Sequence, residues 1–186
     1  MYFVSTNDNK YNEIKDLLSK NGPITMHVEH KKIELREIQS NSLVEVAIAK
    51  VKQAFELVGQ EVFVEDDGLF IDSLNGFPGV YSSFVYDTLG NNGIIDLLKN
   101  KTNRSATFKS VIAFSEGKLA KTFIGEIKGL ISNKIHEGGW GFDPIFIPEN
   151  TNKCFGEMDL KSKNKVSHRR SAVVQFHRWY IQNKMI

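Results

Sequence analysis

Residues 64 to 84 read VEDDGLFIDSLNGFPGVYSSF, and this stretch decides both the fold class and where to look for chemistry. Val62, Phe63 and Val64 form an apolar, β-prone run, and the carboxylates Glu65, Asp66 and Asp67 follow it directly before Gly68. The reading is a strand that ends in an acidic cluster, a bend at Gly68, and a tight turn over Asn75-Gly76-Phe77-Pro78-Gly79. Three adjacent acids repel one another unless a cation or a basic partner is near. Side chains alternate along extended backbone, so two of the acids share one direction and the third points away. Such a strand end suits a hard divalent cation, Mg²⁺ first, and it equally suits a solvated turn. The spacing of histidine and cysteine in the sequence offers no zinc cluster instead.

Outward from this stretch, strands alternate with helices toward the N-terminus. Tyr2 to Val4 reads as a buried strand, Asn7 or Asp8 as a helix cap, and Ile14, Leu17 and Leu18 as a helical stripe that stops at Asn21-Gly22-Pro23. Thr25 to His30 is a second candidate strand. Ser42 with Glu45 three residues on signals a capping box for a helix running to about Leu57, with Val46, Ala49, Val51 and Ala54 on its buried side. Toward the C-terminus come a short helix over 92–99, a strand with Phe108, Ile112 and Phe114, a hairpin turn at Glu116-Gly117, and a strand over 119–131 interrupted at Gly125 and Gly129. Ser167 opens a last helix with Ala172, Val173, Phe176 and Tyr180 at helical spacing. Early alternation followed by a long hairpin implies an α/β fold with a mixed sheet covered by helices.

The chain has 186 residues, 41% of them hydrophobic, without a linker or composition break, so it reads as one domain over 1–186. Lysine and arginine number 24 against 22 acids, a formal charge of +2, which is too balanced for a protein that coats nucleic acid. The single cysteine, Cys154, allows no internal disulfide and fits a reducing compartment. The first residues, MYFVSTNDNK, lack the features of a signal peptide, and no apolar run reaches bilayer length. The expectation is a cytoplasmic protein with no membrane partner.

Three further segments carry candidate chemistry. Ser5-Thr6-Asn7-Asp8-Asn9-Lys10 puts hydroxyls, amides and a lysine at a helix start, where backbone N–H groups favour an anion such as phosphate; an ordinary capped helix has the same composition. Gly138-Gly139-Trp140-Gly141-Phe142-Asp143-Pro144 could bring backbone and an aromatic face to a ligand, or tuck its aromatics into the core. Lys161, Lys163, Lys165, His168, Arg169 and Arg170 make a basic run that also reads as a solvated face. Glu37 is an isolated carboxylate. Neither GxxxxGK[ST] nor GxGxxG occurs, and Ser167-His168 lacks the surroundings of a hydrolase dyad.

Taken in order, STNDNK, LREIQ, VEDDGLFIDSLNGFPGVYSSF, GGWGFDPIF and KNKVSHRR resemble the Ham1 family of inosine/xanthosine triphosphate pyrophosphatases, from residue 3 to about residue 172. The resemblance implies a central mixed sheet with flanking helices, in two lobes around a substrate cleft, usually as a homodimer. It implies Mg²⁺-dependent hydrolysis of ITP, dITP and XTP to the monophosphate and pyrophosphate, which cleanses the nucleotide pool. Asp66 matches the metal-binding acid and general base, and Glu37 a second carboxylate near the metal. Ser5, Thr6, Asn7, Asp8, Asn9 and Lys10 match the triphosphate loop, with Lys50, Lys163 and Arg169 neutralising phosphate or reading the base. Trp140, Gly141, Phe142 and Asp143 match the base-binding loop, and His168 with Arg169 the pair that contacts the purine. Asp67 adjoins the substrate where serine or threonine is common in the family. Thr6 and Ser83 also depart from the pattern, standing where many relatives have glycine and some have lysine. A Maf-like pyrophosphatase acting on pyrimidine nucleotides, or a non-catalytic RNA-binding module, would share parts of this composition.

Overall fold

The computed structural model describes residues 1–19, 26–117 and 119–184. Among these it forms an α/β fold with one mixed seven-stranded sheet and six α-helices. The elements run β1 (Tyr2–Val4), α1 (Asp8–Leu17), β2 (Glu29–Lys31), α2 (Leu43–Val58), β3 (Val62–Ile71), β4 (Pro78–Gly79), α3 (Ser82–Thr88), α4 (Gly90–Leu97), β5 (Ser105–Ser115), β6 (Ala120–Ile131), β7 (Phe146–Pro148), α5 (Leu160–Val166) and α6 (His168–Lys184). Strand order is β2-β1-β3-β5-β6-β7, with β4 added to β3. β1 pairs in parallel with both β2 and β3, whereas β3–β4 and β6–β7 are antiparallel.

The chain divides into two compact units. The first comprises Met1–Asp66, Ser110–Gly125 and Arg169–Ile186. Its core joins Phe3 of β1, Ile14 and Leu17 of α1, Phe63 of β3, Ile112 and Phe114 of β5, and Ala172, Val173 and Phe176 of α6. Phe176 is central to it, with its ring 5.1 Å from that of Phe63 and 5.7 Å from that of Phe114. The second unit comprises Asp67–Lys109 and Glu126–His168. Its core holds Leu69, Ile71, Val85, Ile94, Phe108, Ile131, Phe142, Phe146 and Phe155.

Several boundaries differ from the sequence reading. β3 does not end at its acids: it runs through Glu65, Asp66, Asp67 and Gly68 to Ile71, and the turn comes at Asp72–Leu74. Basic partners on neighbouring elements neutralise the acids, and β4 supplies ladder bonds past them, pairing Leu69 with Gly79. The second strand is Glu29–Lys31 rather than 25–30; Thr25 and the Asn21-Gly22-Pro23 stop lie outside the described residues. On α2, Ala47 takes the buried place expected for Ala49. The Ser42 cap forms, accepting from Glu45 N at 3.3 Å, but the Glu45 carboxylate takes the Ser40 hydroxyl at 2.6 Å, and Ser40 in turn accepts from Ser42 N. β6 is continuous through both of its glycines. α3, α5 and β7 are short elements absent from the sequence reading. No described helix is long and apolar enough to cross a membrane.

Gly68 owes its place to space rather than to backbone torsion. A Cβ there would lie 2.4 Å from the carbonyl oxygen of Gly79, so only hydrogen lets β4 close on β3 immediately after Asp67. Gly68→Ala is therefore expected to destabilise the protein by about 1–3 kcal/mol, the usual cost of overpacking against backbone, measured by urea unfolding.

Candidate functional site: a buried charge cluster and an aromatic loop

In the first unit the alternation along β3 sends neighbouring acids to different helices. Glu65 accepts from Ser110 of β5 at 2.6 Å and from Arg169 Nε of α6 at 3.1 Å, and pairs with Lys10 of α1 at 3.0 Å. Arg169 has no solvent exposure, and its guanidinium also donates to Glu13 of α1. Glu65, Glu13 and Arg169 thus form a dry ionic knot that ties β3, α1 and α6 together. A buried charge is tolerated when its partners replace water, and here each does.

Asp66 faces α2 instead. Its Oδ1 accepts from Lys50 Nζ at 2.6 Å, and the same ammonium reaches the exposed carboxylate of Glu37 at 2.9 Å. Asp66 Oδ2 is buried and has no hydrogen-bond partner among the described residues. Burial raises the Asp66 pKa above the ordinary carboxylate range; Lys50 and Lys10 pull it down without reversing the shift, and Glu65 adds to it. Burial works against the Lys50 ammonium, yet the Asp66 charge and the bonds to Asp66 and Glu37 leave its pKa raised. The result is one lysine bridging two carboxylates, with one carboxylate oxygen left over. Hard oxygen donors of this kind fit Mg²⁺, and the orphaned Oδ2 is the atom a cation would satisfy.

The loop from Ser5 to Lys10 caps α1. Asn7 Oδ1 accepts from Lys10 N at 3.1 Å, and Ser5 Oγ accepts from Asn7 N at 3.1 Å. Asp8 pairs with Lys32 at 2.7 Å, while Thr6 and Asn9 are exposed. The loop therefore brings Lys10 within reach of β3: Lys10 Nζ donates to the Glu65 carbonyl at 3.3 Å.

In the second unit Asp143 and Lys163 form a buried ion pair at 2.6 Å, and Asp143 also accepts from Trp140 N at 3.2 Å. The Lys163 ammonium sits 5.2 Å from the Trp140 ring centroid and 5.5 Å from that of Phe155. Phe142 turns into the core against Tyr86, edge to face at 5.6 Å. The carbonyl of Gly141 accepts from Asn91 at 3.1 Å. His168 is buried, stacked on Phe108 with centroids 4.7 Å apart, and its Nε2 lies 3.8 Å from Asp67 Oδ2.

The structure thus groups Asp66, Lys50, Glu37 and Lys10 in one unit, and Trp140, Asp143 and Lys163 in the other. Arg169, expected at the purine, is spent on Glu13 and Glu65; Phe142 serves the core. Glu13, Ser110 and Asn91 escaped the sequence reading, and only Glu13 carried a signal, as an acid at the helical spacing of the apolar residues Ile14 and Leu17.

Comparison with known proteins identifies the family. The Ham1 family model covers residues 1–179. A dITP/XTP pyrophosphatase of Methanopyrus kandleri is 45% identical over 97% of this chain and 96% of its own, and one of Thermococcus kodakarensis is 42% identical over 97% of each. Among solved structures, the Ham1 protein of Staphylococcus aureus superposes with a TM-score of 0.82 at 28% identity, covering 99% of this chain and 100% of that one. A HAM1 protein from Coxiella burnetii gives 0.82 at 27%, over 98% of this chain and 99% of its own. With the family model spanning nearly the whole chain and relatives above two-fifths identity over nearly full length, the chain belongs to the Ham1 family.

Proposed function

We propose that this chain hydrolyses the non-standard purine nucleoside triphosphates ITP, dITP and XTP to the monophosphate and pyrophosphate, with Mg²⁺, as a single catalytic domain that clears such nucleotides from the cytoplasmic pool. The observation that carries the reading is Asp66: a buried carboxylate with one oxygen held by Lys50 and the other unpartnered. Its relatives' names, dITP/XTP pyrophosphatase, point the same way.

Asp66 and Glu37 would hold Mg²⁺, which when bound screens phosphate charge and makes the α-phosphorus more electrophilic. Lys50 fixes Asp66 by Oδ1 and so orients the carboxylate, and Asp66 is the base that takes the proton of the attacking water. Lys10 and the first N–H groups of α1 stabilise the leaving pyrophosphate, with Ser5, Thr6, Asn7, Asp8 and Asn9 shaping that helix start. Asp67, held near His168, borders the substrate. Trp140 stacks on the base, and the Asp143–Lys163 pair fixes the loop that presents it. A 6-carbonyl on the purine satisfies N–H donors of that loop, whereas the 6-amino group of adenine leaves them unmatched. Because Arg169 is bound to two glutamates, backbone N–H groups are better placed than its guanidinium for this task. A homodimer is the assembly we propose, and Tyr81, Phe84 and Leu89, each exposed in or beside α3, are apolar side chains an interface could cover.

Incubation with Mg²⁺ and, separately, ITP, XTP, GTP, dTTP and UTP is expected to release pyrophosphate from ITP and XTP foremost; preference for dTTP or UTP would instead favour a Maf-like specificity, and orthophosphate as product would refute the reaction. Asp66→Asn is expected to lower kcat by a factor of at least about 100, the usual share of a general base, with circular dichroism unchanged. Trp140→Ala is expected to raise KM for ITP about tenfold or more, for the stacking lost, with a smaller effect on kcat.

A further inference from the structure

We propose that His136, Cys154 and Glu157 form a second metal site, for a borderline-soft divalent cation such as Zn²⁺, which staples together the two backbone segments flanking the Trp140 loop. His136 stands well before Cys154 and Glu157 in the sequence, which is why spacing gave no zinc motif, but in the second unit the three ligand atoms all lie within 4.8 Å of one another. The His136 Nδ1 is already 3.1 Å from Glu157 Oε2. Zinc at its usual ligand distances of about 2.0–2.3 Å would want the three donors roughly 3.3–3.8 Å apart, so side-chain shifts of about 1 Å complete the set. Nitrogen, sulfur and carboxylate oxygen together select zinc over magnesium.

The surroundings are those of a metal ligand set. His136 Nε2 lies 3.1 Å from Ser132 Oγ, so an N–H there can donate to the hydroxyl and leave the Nδ1 lone pair directed at the cation. Ser132 is itself anchored: its N–H donates to Ile145 O at 2.7 Å, and its carbonyl accepts from Arg104 at 2.6 Å. Cys154 N donates to Glu157 Oε2 at 2.8 Å, which holds that carboxylate at the same turn as the thiol. Cys154 is buried, whereas the side chains of His136 and Glu157 keep 19% and 35% of their exposure, so the fourth position opens to water. The backbone is preset as well. A Cβ on Gly138 would come 2.4 Å from Gly156 O, which shows how closely the two segments already run.

The ion would bridge residues 132–136 to residues 154–157, and the loop that carries Trp140 begins directly after His136. Occupancy therefore restrains that loop without touching Asp66. This differs in donor chemistry from the oxygen site at Asp66 and Glu37, and the difference makes the test independent of catalysis.

Metal-free protein is titrated with Co²⁺ and followed by absorption. The proposal expects one equivalent of cobalt to produce a thiolate-to-cobalt charge-transfer band in the near ultraviolet together with intense visible bands of tetrahedral Co²⁺, and Zn²⁺ to bleach both. Cys154→Ser should abolish the charge-transfer band. His136→Gln and Glu157→Gln, at partly exposed positions where the fold is not at stake, should each weaken cobalt binding at least about tenfold. Weak octahedral bands alone in the parent protein, or a charge-transfer band that His136→Gln and Glu157→Gln leave unchanged, would overturn the site.

Discussion

The interaction on which the candidate site depends is the buried pairing of Arg169 with Glu65 and Glu13. Three charged groups have been taken out of water in the first unit, and they replace much of one another's hydration, with Ser110 and Lys10 adding to Glu65. Glu65 comes from β3, Glu13 from α1 and Arg169 from α6, so the ionic knot fixes where two helices lie against one strand. Lys10, joined to Glu65 at 3.0 Å, is thereby fixed too. Removing one member leaves buried charge less well compensated, so the members are expected to depend on one another.

From that constraint follows the chemistry of the next residue. β-strand alternation turns Asp66 away from the knot toward α2, where Lys50 meets one of its oxygens and the other is left without a partner. Burial raises the pKa of the carboxylate in this position, and Lys50 and Lys10 work against that rise. In the second unit the same logic recurs with one pair: Lys163 neutralises Asp143, and Asp143 in turn receives the Trp140 N–H, so a buried charge shapes the aromatic loop. Both halves of the candidate machinery are thus presented by ion pairs rather than by loops free to wander.

Local signals were legible where backbone chemistry is local. The Asn7 and Ser42 caps, the β1 strand and the stripe of α6 could be read because a cap or a 3.6-residue period is set by neighbours in sequence. The extent of β3 could not be read, since three acids and a glycine look like a strand end unless one knows that Lys50, Lys10 and Arg169 arrive from other elements to neutralise them. α3 and α5 are each only seven residues long, too short for a period to stand out. The site residues divide the same way. Asp66, Lys10 and Trp140 lie in the family motifs and Lys50 follows from the resemblance, whereas the burial of Arg169 between two glutamates is a tertiary fact: a basic run before a helix reads as solvated until its partners are known. His136 and Cys154 illustrate the converse, a convergence of ligands with no spacing to announce it.

The central claim, that β3 is held in place by one cooperative buried ion-pair knot, is tested most directly by a double-mutant cycle on Glu65→Gln and Arg169→Met, with urea unfolding free energies measured for the parent, both single variants and the double variant. The expected result is that each single change costs about 3–5 kcal/mol, and that the double variant loses less than their sum by at least about 1 kcal/mol, because the second substitution removes a charge the first had stranded. Additive losses, agreeing with the sum to within about 0.5 kcal/mol, would contradict it.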